Sequence, residues 1–217
     1  MSTNWKKTFF LIWSGQAVSM VGSAMVHFAI AWWLTQTTGS AVVLATMAVF
    51  AALPQVILGP FIGALVDRWN RRTVMIVSDG IIAAITLWLA SMFLLGRGEI
   101  WQLYVIALVR SLMGVFHWTS MNASTSLMVP KEQLSRVAGM NQTLQGILNI
   151  ATPPLGALVV AFLPLPNIML IDVGTAMLAI LPLLFVHIPQ PERAVEELAR
   201  QVTPRSVLLD VRDGLRY

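Results

Sequence analysis

A chain of 217 residues that is 57% hydrophobic and only 11% charged cannot cover itself with water-wetted surface, because soluble domains carry about 25% charged residues. Lipid must wet it instead. Its formal net charge of +4 comes without a basic stripe interleaved with aromatics, so nothing points to a nucleic-acid partner, and the lack of cysteine removes disulfides, thiolate zinc sites and cysteine nucleophiles.

A membrane-crossing helix needs about 20 mostly apolar residues. Six stretches qualify, at 9–34, 42–66, 74–95, 101–129, 137–163 and 168–186. The expected fold is all-α, a transmembrane bundle of six helices over residues 1–187 with a tail over 188–217. The first stretch is longer than the roughly 7–15 apolar residues of a signal peptide, so it reads as a retained span. Turns separate the rest: Thr37 to Ser40, the charged loop Asp67 to Arg72, Gly96 to Glu99, Pro130 to Glu132, and Leu163 to Asn167.

Basic residues in short loops set orientation. Lys6, Lys7, Arg68, Arg71, Arg72, Lys131 and Arg136 share one side, and Arg97 alone lies opposite. This places the N-terminus in the cytoplasm and returns the tail there with Arg193, Arg200, Arg205, Arg212 and Arg216. In the tail, Thr203-Pro204 is a helix start, and Val207, Leu208, Val211 and Leu215 then share a face. This reads as an amphipathic linker helix on the membrane surface, the alternative being a solvated linker.

Helix 1 offers Gln16 and Ser19 on one face, and His27, which reads first as a packing residue. After helix 2 comes Gly63-Ala-Leu-Val-Asp67-Arg68-Trp-Asn-Arg71-Arg72. Asp67 ends a helix where the macrodipole disfavours an acid, so it wants a cationic partner. Arg68, Arg71 and Arg72 supply one, although three arginines can also merely set topology. Gly59 and Gly63 have the small-xxx-small spacing that lets a neighbouring backbone approach. Asp79, early in helix 3, is expected to join this charge cluster, with proton carriage as the sharper alternative. The run resembles the major facilitator superfamily signature G-x-L-x-D-R-x-G-R-R/K. Asn70 replaces its usual glycine, at a position expected to need a left-handed turn. The resemblance implies that Gly63, Asp67, Arg68, Arg71, Arg72 and Asp79 form a latch that locks two halves in one conformation.

Arg110 lies near the middle of helix 4, where insertion costs about 2.5–3.5 kcal/mol, so it should face a cavity or a partner. Arg110, Gly114, His117 and Met121 share a face that reads as a cavity wall, the alternative being an arginine bonded to backbone carbonyls. Arg110 and Gly114 resemble a second superfamily signature, R-x-x-x-G, with Met113 in place of its glutamine. That resemblance implies proton coupling. Helix 5 carries the polar stripe Asn141, Gln145, Asn149 and Thr152, then Pro153, Pro154 and Gly156. This run resembles a worn form of the antiporter signature G-P-x-x-G-G and implies a kinked helix. Asp172 reads as a first-turn acid of helix 6. Trp32, Trp33 and Trp101 suit interface belts. Phe116, Trp118, Met113 and Met121 fit either an apolar cavity or lipid-facing packing.

The whole chain resembles the N-terminal half of a twelve-helix major facilitator, itself a 3+3 inverted repeat. The segments 12–19, 110–117 and 128–134 resemble bacterial macrolide-efflux proteins. The resemblance implies a bacterial plasma-membrane transporter that exports an amphipathic drug such as a macrolide by proton-coupled alternating access. Its partners would be the lipid bilayer, protons, the drug, and a C-terminal half absent from the chain or a second copy. The end at Arg212 to Tyr217 resembles the lead-in to a seventh helix, so the chain alone is not expected to transport. A facilitator of another small solute is the alternative. So is a non-transporting six-helix protein, against which Arg110 and the helix 5 stripe argue. There is no Walker lysine motif, no H-E-x-x-H and no Rossmann glycine run, so no enzyme, cofactor or metal is expected.

Overall fold

The computed structural model describes residues 5–186 and 188. It has six long helices: α1 Trp5–Thr38, α2 Ala41–Arg68, α3 Arg71–Leu94, α4 Ile100–Met128, α5 Leu134–Phe162 and α6 Leu165–Phe185. All six contain a stretch long and apolar enough to cross a membrane, and no strand occurs among the described residues. The surface helix and basic residues expected in the tail lie outside the described residues.

Local chemistry sets the helix ends. α1 runs past its apolar stretch to Thr38, and there Thr35 and Thr38 donate their hydroxyls back to the Ala31 and Leu34 carbonyls, each at 2.8 Å. Gly39 then takes φ +57°, the left-handed conformation that closes a helix, and Ser40 caps α2 by accepting from the Val43 N–H. The left-handed turn expected at Asn70 does not occur. Asn70 has φ −66°, and its side chain accepts the Thr73 N–H at 3.2 Å. With only Trp69 and Asn70 between α2 and α3, asparagine is used here as an N-cap.

Neighbours in space are seldom neighbours in sequence. α2 packs on α4, α4 on α3, α3 on α6, α6 on α1, and α1 on α5. An apolar cluster closes each end of the bundle. Val26, Leu34, Leu89, Leu103 and Ile168 form one, and Phe9, Ile12, Met75, Met128 and Leu183 form the other, beside the N-terminus. α2 and α5 are the least buried helices, with Val42 and Val56 on α2 and Ile150 and Phe162 on α5 exposed.

The seam between α1 and α6 depends on small residues. A Cβ at Gly15 would touch the Ala179 backbone at 3.4 Å, and one at Gly22 would overlap Thr175 Oγ1 and crowd Asp172. The close approach expected at Gly59 and Gly63 is absent: a Cβ at either would meet nothing within 4 Å. α2 turns Ile62 and Val66 inward, which leaves those glycines on the outward side.

Candidate functional site

Two polar layers lie between the apolar ends. In the first, Arg110 Nη1 donates to Asp172 Oδ2 and to Thr86 Oγ1, both at 2.6 Å. Thr86 spends its own proton on the Ile82 carbonyl at 2.7 Å, so its oxygen is free to accept. Ser23 donates to Asp172 Oδ1 at 3.0 Å. Arg110 is 6% exposed and Asp172 1%. A buried charge is tolerable only with such partners. Asp172 is therefore not a first-turn acid. α6 begins at Leu165, so Asp172 sits about two turns in and faces Arg110.

In the second layer, Gln16 Nε2 donates to Asp79 Oδ2 at 3.2 Å, and His117 Nε2 lies 3.5 Å from the same oxygen. Asp79 is 6% exposed. It does not join the charged loop. Eight residues separate it from Arg71, a rise of roughly 12 Å along a helix.

The loop itself ties three helices. Arg71 meets Asp67 at 3.2 Å, while Nη1 donates to the Ala123 carbonyl of α4 at 2.9 Å. Arg72 donates to the Leu183 and Leu184 carbonyls, each at 2.5 Å. These lie in the last turn of α6, where a cation complements the helix dipole. Asp67 keeps 69% of its side chain exposed, Arg68 ends α2, and Gly63 lies just over a turn earlier.

An open cavity of 860 Å³ lies between α1, α2, α4 and α5. Arg110 and Gly114 line it from α4, and Gln145, Asn149, Thr152 and Pro153 from α5. His27 borders it too, as an exposed residue and not a packed one. A recess of 120 Å³ adjoins it, lined by Trp13, Gln16, His117 and Asn141. There Trp13 donates to Asn141 Oδ1 at 2.8 Å, fixing α1 to α5. Trp118 and Gly114 border both hollows, and Met121 the recess. Phe116 stacks on Trp69 with ring centres 6.0 Å apart, and with Met113 it borders a separate groove beside α3.

α5 continues unbroken through Pro153 and Pro154. Each proline lacks an N–H, so the Asn149 and Ile150 carbonyls lose their usual donors beside the cavity. Gly156 is buried where a Cβ would meet the Phe28 ring. Among the described residues, no group of three His, Asp or Glu side chains could hold a metal.

Sequence reasoning gives Asp172 the wrong role and misses Thr86, Ser23, Gln55 and Ser111, the last two in the cavity wall. A signal was available. Polar residues recur seven apart on three helices, as Gln16 and Ser23, Asp79 and Thr86, and Arg110 and His117.

The family model described as Major Facilitator Superfamily matches residues 12–213. The chain is 40% identical over 195 residues to macrolide efflux protein A of Streptococcus pyogenes, covering 90% of this chain and 48% of that protein. It is 39% identical over 160 residues to macrolide efflux protein A of Enterococcus faecalis, covering 74% and 49%. The chain thus spans about half the length of the curated relatives it matches.

Proposed function

The chain belongs to the Major Facilitator Superfamily, and from that premise we propose that it forms one half of a proton-coupled exporter of amphipathic drugs, macrolides among them. The observation that carries this reading is the Arg110–Asp172 pair, 2.6 Å long and set in the wall of an 860 Å³ cavity. An anchor needs neither the charge nor the hollow. The cavity offers Gln55, Gln145 and Asn149 beside Phe28, Val115 and Trp118, a mixture suited to a molecule with polar and apolar faces. The relatives' names supply the drug class.

In this reading a second six-helix half covers the exposed faces of α2 and α5, and the two halves rock about a site between them. Arg110 is the coupling group. Its fixed charge sets which proton occupancies the cavity wall tolerates, and it joins α4 to α3 and α6. A proton gradient drives the cycle, the membrane potential giving about 2.3 kcal/mol per charge per 100 mV. The test is a chimaera of this chain with the C-terminal half of a macrolide-efflux relative. Macrolide accumulation should fall below that of cells with empty vector, and the fall should vanish when the proton gradient is collapsed. Unchanged accumulation at normal membrane levels of the chimaera would reject drug export and favour another solute.

The membrane is the bacterial plasma membrane, with the N-terminus in the cytoplasm. A cysteine at Arg97 should then be labelled from outside by an impermeant thiol reagent, and a cysteine at Asn70 should not. The reverse pattern would overturn the orientation.

Gly63, Asp67, Arg68, Arg71 and Arg72 form the latch. Asp67 steadies Arg71, which reaches α4, while Arg72 holds α6. Asp67→Asn should slow transport several-fold by shifting the balance of open states, with drug affinity changed much less. Cavity cysteines that react at wild-type rates from both sides would argue against a latch.

A further inference from the structure

The Arg110–Asp172 layer is already neutral, one cation against one anion. A proton added to Asp172 would leave Arg110 buried and uncompensated, which is the expensive outcome. The Asp79 layer differs. Its carboxylate meets an amide and an imidazole, and no lysine or arginine among the described residues forms an ion pair with it. A carboxylate beside a neutral imidazole carries one uncompensated negative charge, and one proton removes it.

We propose that Asp79 and His117 form a proton-binding site of their own, one heptad from the Arg110–Asp172 pair, opening to the substrate cavity through His117. The proposal rests on the transporter reading above and assigns the proton its seat. The two layers share three helices, Gln16 and Ser23 on α1, Asp79 and Thr86 on α3, His117 and Arg110 on α4. Seven residues rise roughly 10.5 Å, so the layers are separate in space although their charges still feel one another across the buried interior. His117 lines the recess, and Gly114, about a turn away, borders both recess and main cavity. The His117 side chain keeps 16% of its surface exposed on that side, while its Nε2 and Asp79 stay covered.

The step balances with a single proton. It adds from water to the Oδ2–Nε2 pair, and the site's charge goes from −1 to 0, counting an initially neutral imidazole. No other bond is made or broken, and release on the opposite face reverses it. The charged groups on the surrounding elements are few. α4 brings Arg110 and α6 brings Asp172, both in the other layer. α3 brings Arg71 and Arg72 in its first turn. α2 brings Asp67 and Arg68 only at its end. α1 offers the uncharged Gln16, with Lys6 and Lys7 in its first turn and His27 beside the Arg110 layer, and α5 offers the uncharged Asn141, with Arg136 in its first turn.

The test is an infrared pH titration of the full chain reconstituted in lipid, following the carbonyl band of protonated carboxylic acids. Asp79→Asn should remove one component of that band, Asp172→Asn should leave that component in place, and His117→Gln should move its midpoint by about one pH unit or more. Asp79→Glu, which keeps the acid, should shift the component without removing it. Its persistence unchanged in Asp79→Asn overturns the proposal. So does an unmoved midpoint in His117→Gln, or an unshifted component in Asp79→Glu should the asparagine variant fail to insert. Drug export fails separately, as unchanged macrolide accumulation by the chimaera. If the export reading holds, Asp79→Asn in the chimaera should lose proton-driven efflux at least tenfold while still exchanging drug down its gradient.

Discussion

Replacing Arg110 by alanine should abolish proton-driven efflux and also weaken the bundle, whereas the charge-free pair Arg110→Met with Asp172→Leu should restore the bundle without restoring transport. The argument begins with burial. Asp172 is 1% exposed, and without Arg110 its oxygens keep only the Ser23 hydroxyl as a side-chain donor. Removing one partner of a buried pair leaves an uncompensated charge at a cost of about 3–5 kcal/mol, while replacing both by apolar groups is often neutral or better. Four helices meet at this point through Ser23, Thr86, Arg110 and Asp172, so the penalty falls on the whole assembly. Denaturation of the reconstituted chain reads stability, and drug accumulation in cells carrying the chimaera reads transport. A stable alanine variant with normal efflux would show that Arg110 does nothing in coupling. A double variant that pumps normally would show that the pair is scaffolding.

The second large effect is expected at Gly22. Valine there should destabilise the isolated chain by about 1–3 kcal/mol or more, the range for overpacking a close seam. Its first carbon would overlap Thr175 Oγ1 and come 3.1 Å from Asp172 Oδ1, so α1 and α6 must separate. That separation also draws Asp172 from Arg110, and transport should fall with stability. Gly63→Ala is the control. Nothing lies within 4 Å of its new carbon, and no loss is expected there, because alanine inside a helix is favoured over glycine by about 0.5–1 kcal/mol. Equal losses at both positions would mean that the seam does not govern, since replacing a helical glycine by either residue raises helix propensity.

The six spans were legible because lipid imposes a length and an apolar composition that few other constraints mimic. Arg110 announced itself for the same reason, since an arginine at mid-span needs a cause. Its partner did not. Asp172 resembles a terminal acid because the unbroken apolar stretch starts only at residue 168, whereas the helix begins at Leu165 with proline in its first turn. Asp79 was drawn to the nearest arginines along the chain, although helical rise carries it away from them. Periodicity says which residues share a face but not which helix that face meets. The glycines show this well: Gly59 and Gly63 carry the recognised spacing and touch nothing, while Gly15 and Gly22, seven apart, make the close seam.

The packing order has a consequence for how the chain is made. α1 leans on α5 and α6, and scarcely on α2, so it leaves the ribosome well before its principal partners. Arg110 is synthesised 62 residues before Asp172. At 5–20 residues per second, this is a wait of roughly 3–12 s. During that interval Thr86, already made on α3, is the one of the guanidinium's two side-chain acceptors that exists. A five-helix stage of synthesis therefore holds Arg110 without its carboxylate partner. The sixth helix does more than complete the count, because its arrival supplies that carboxylate and commits the nascent bundle to one arrangement.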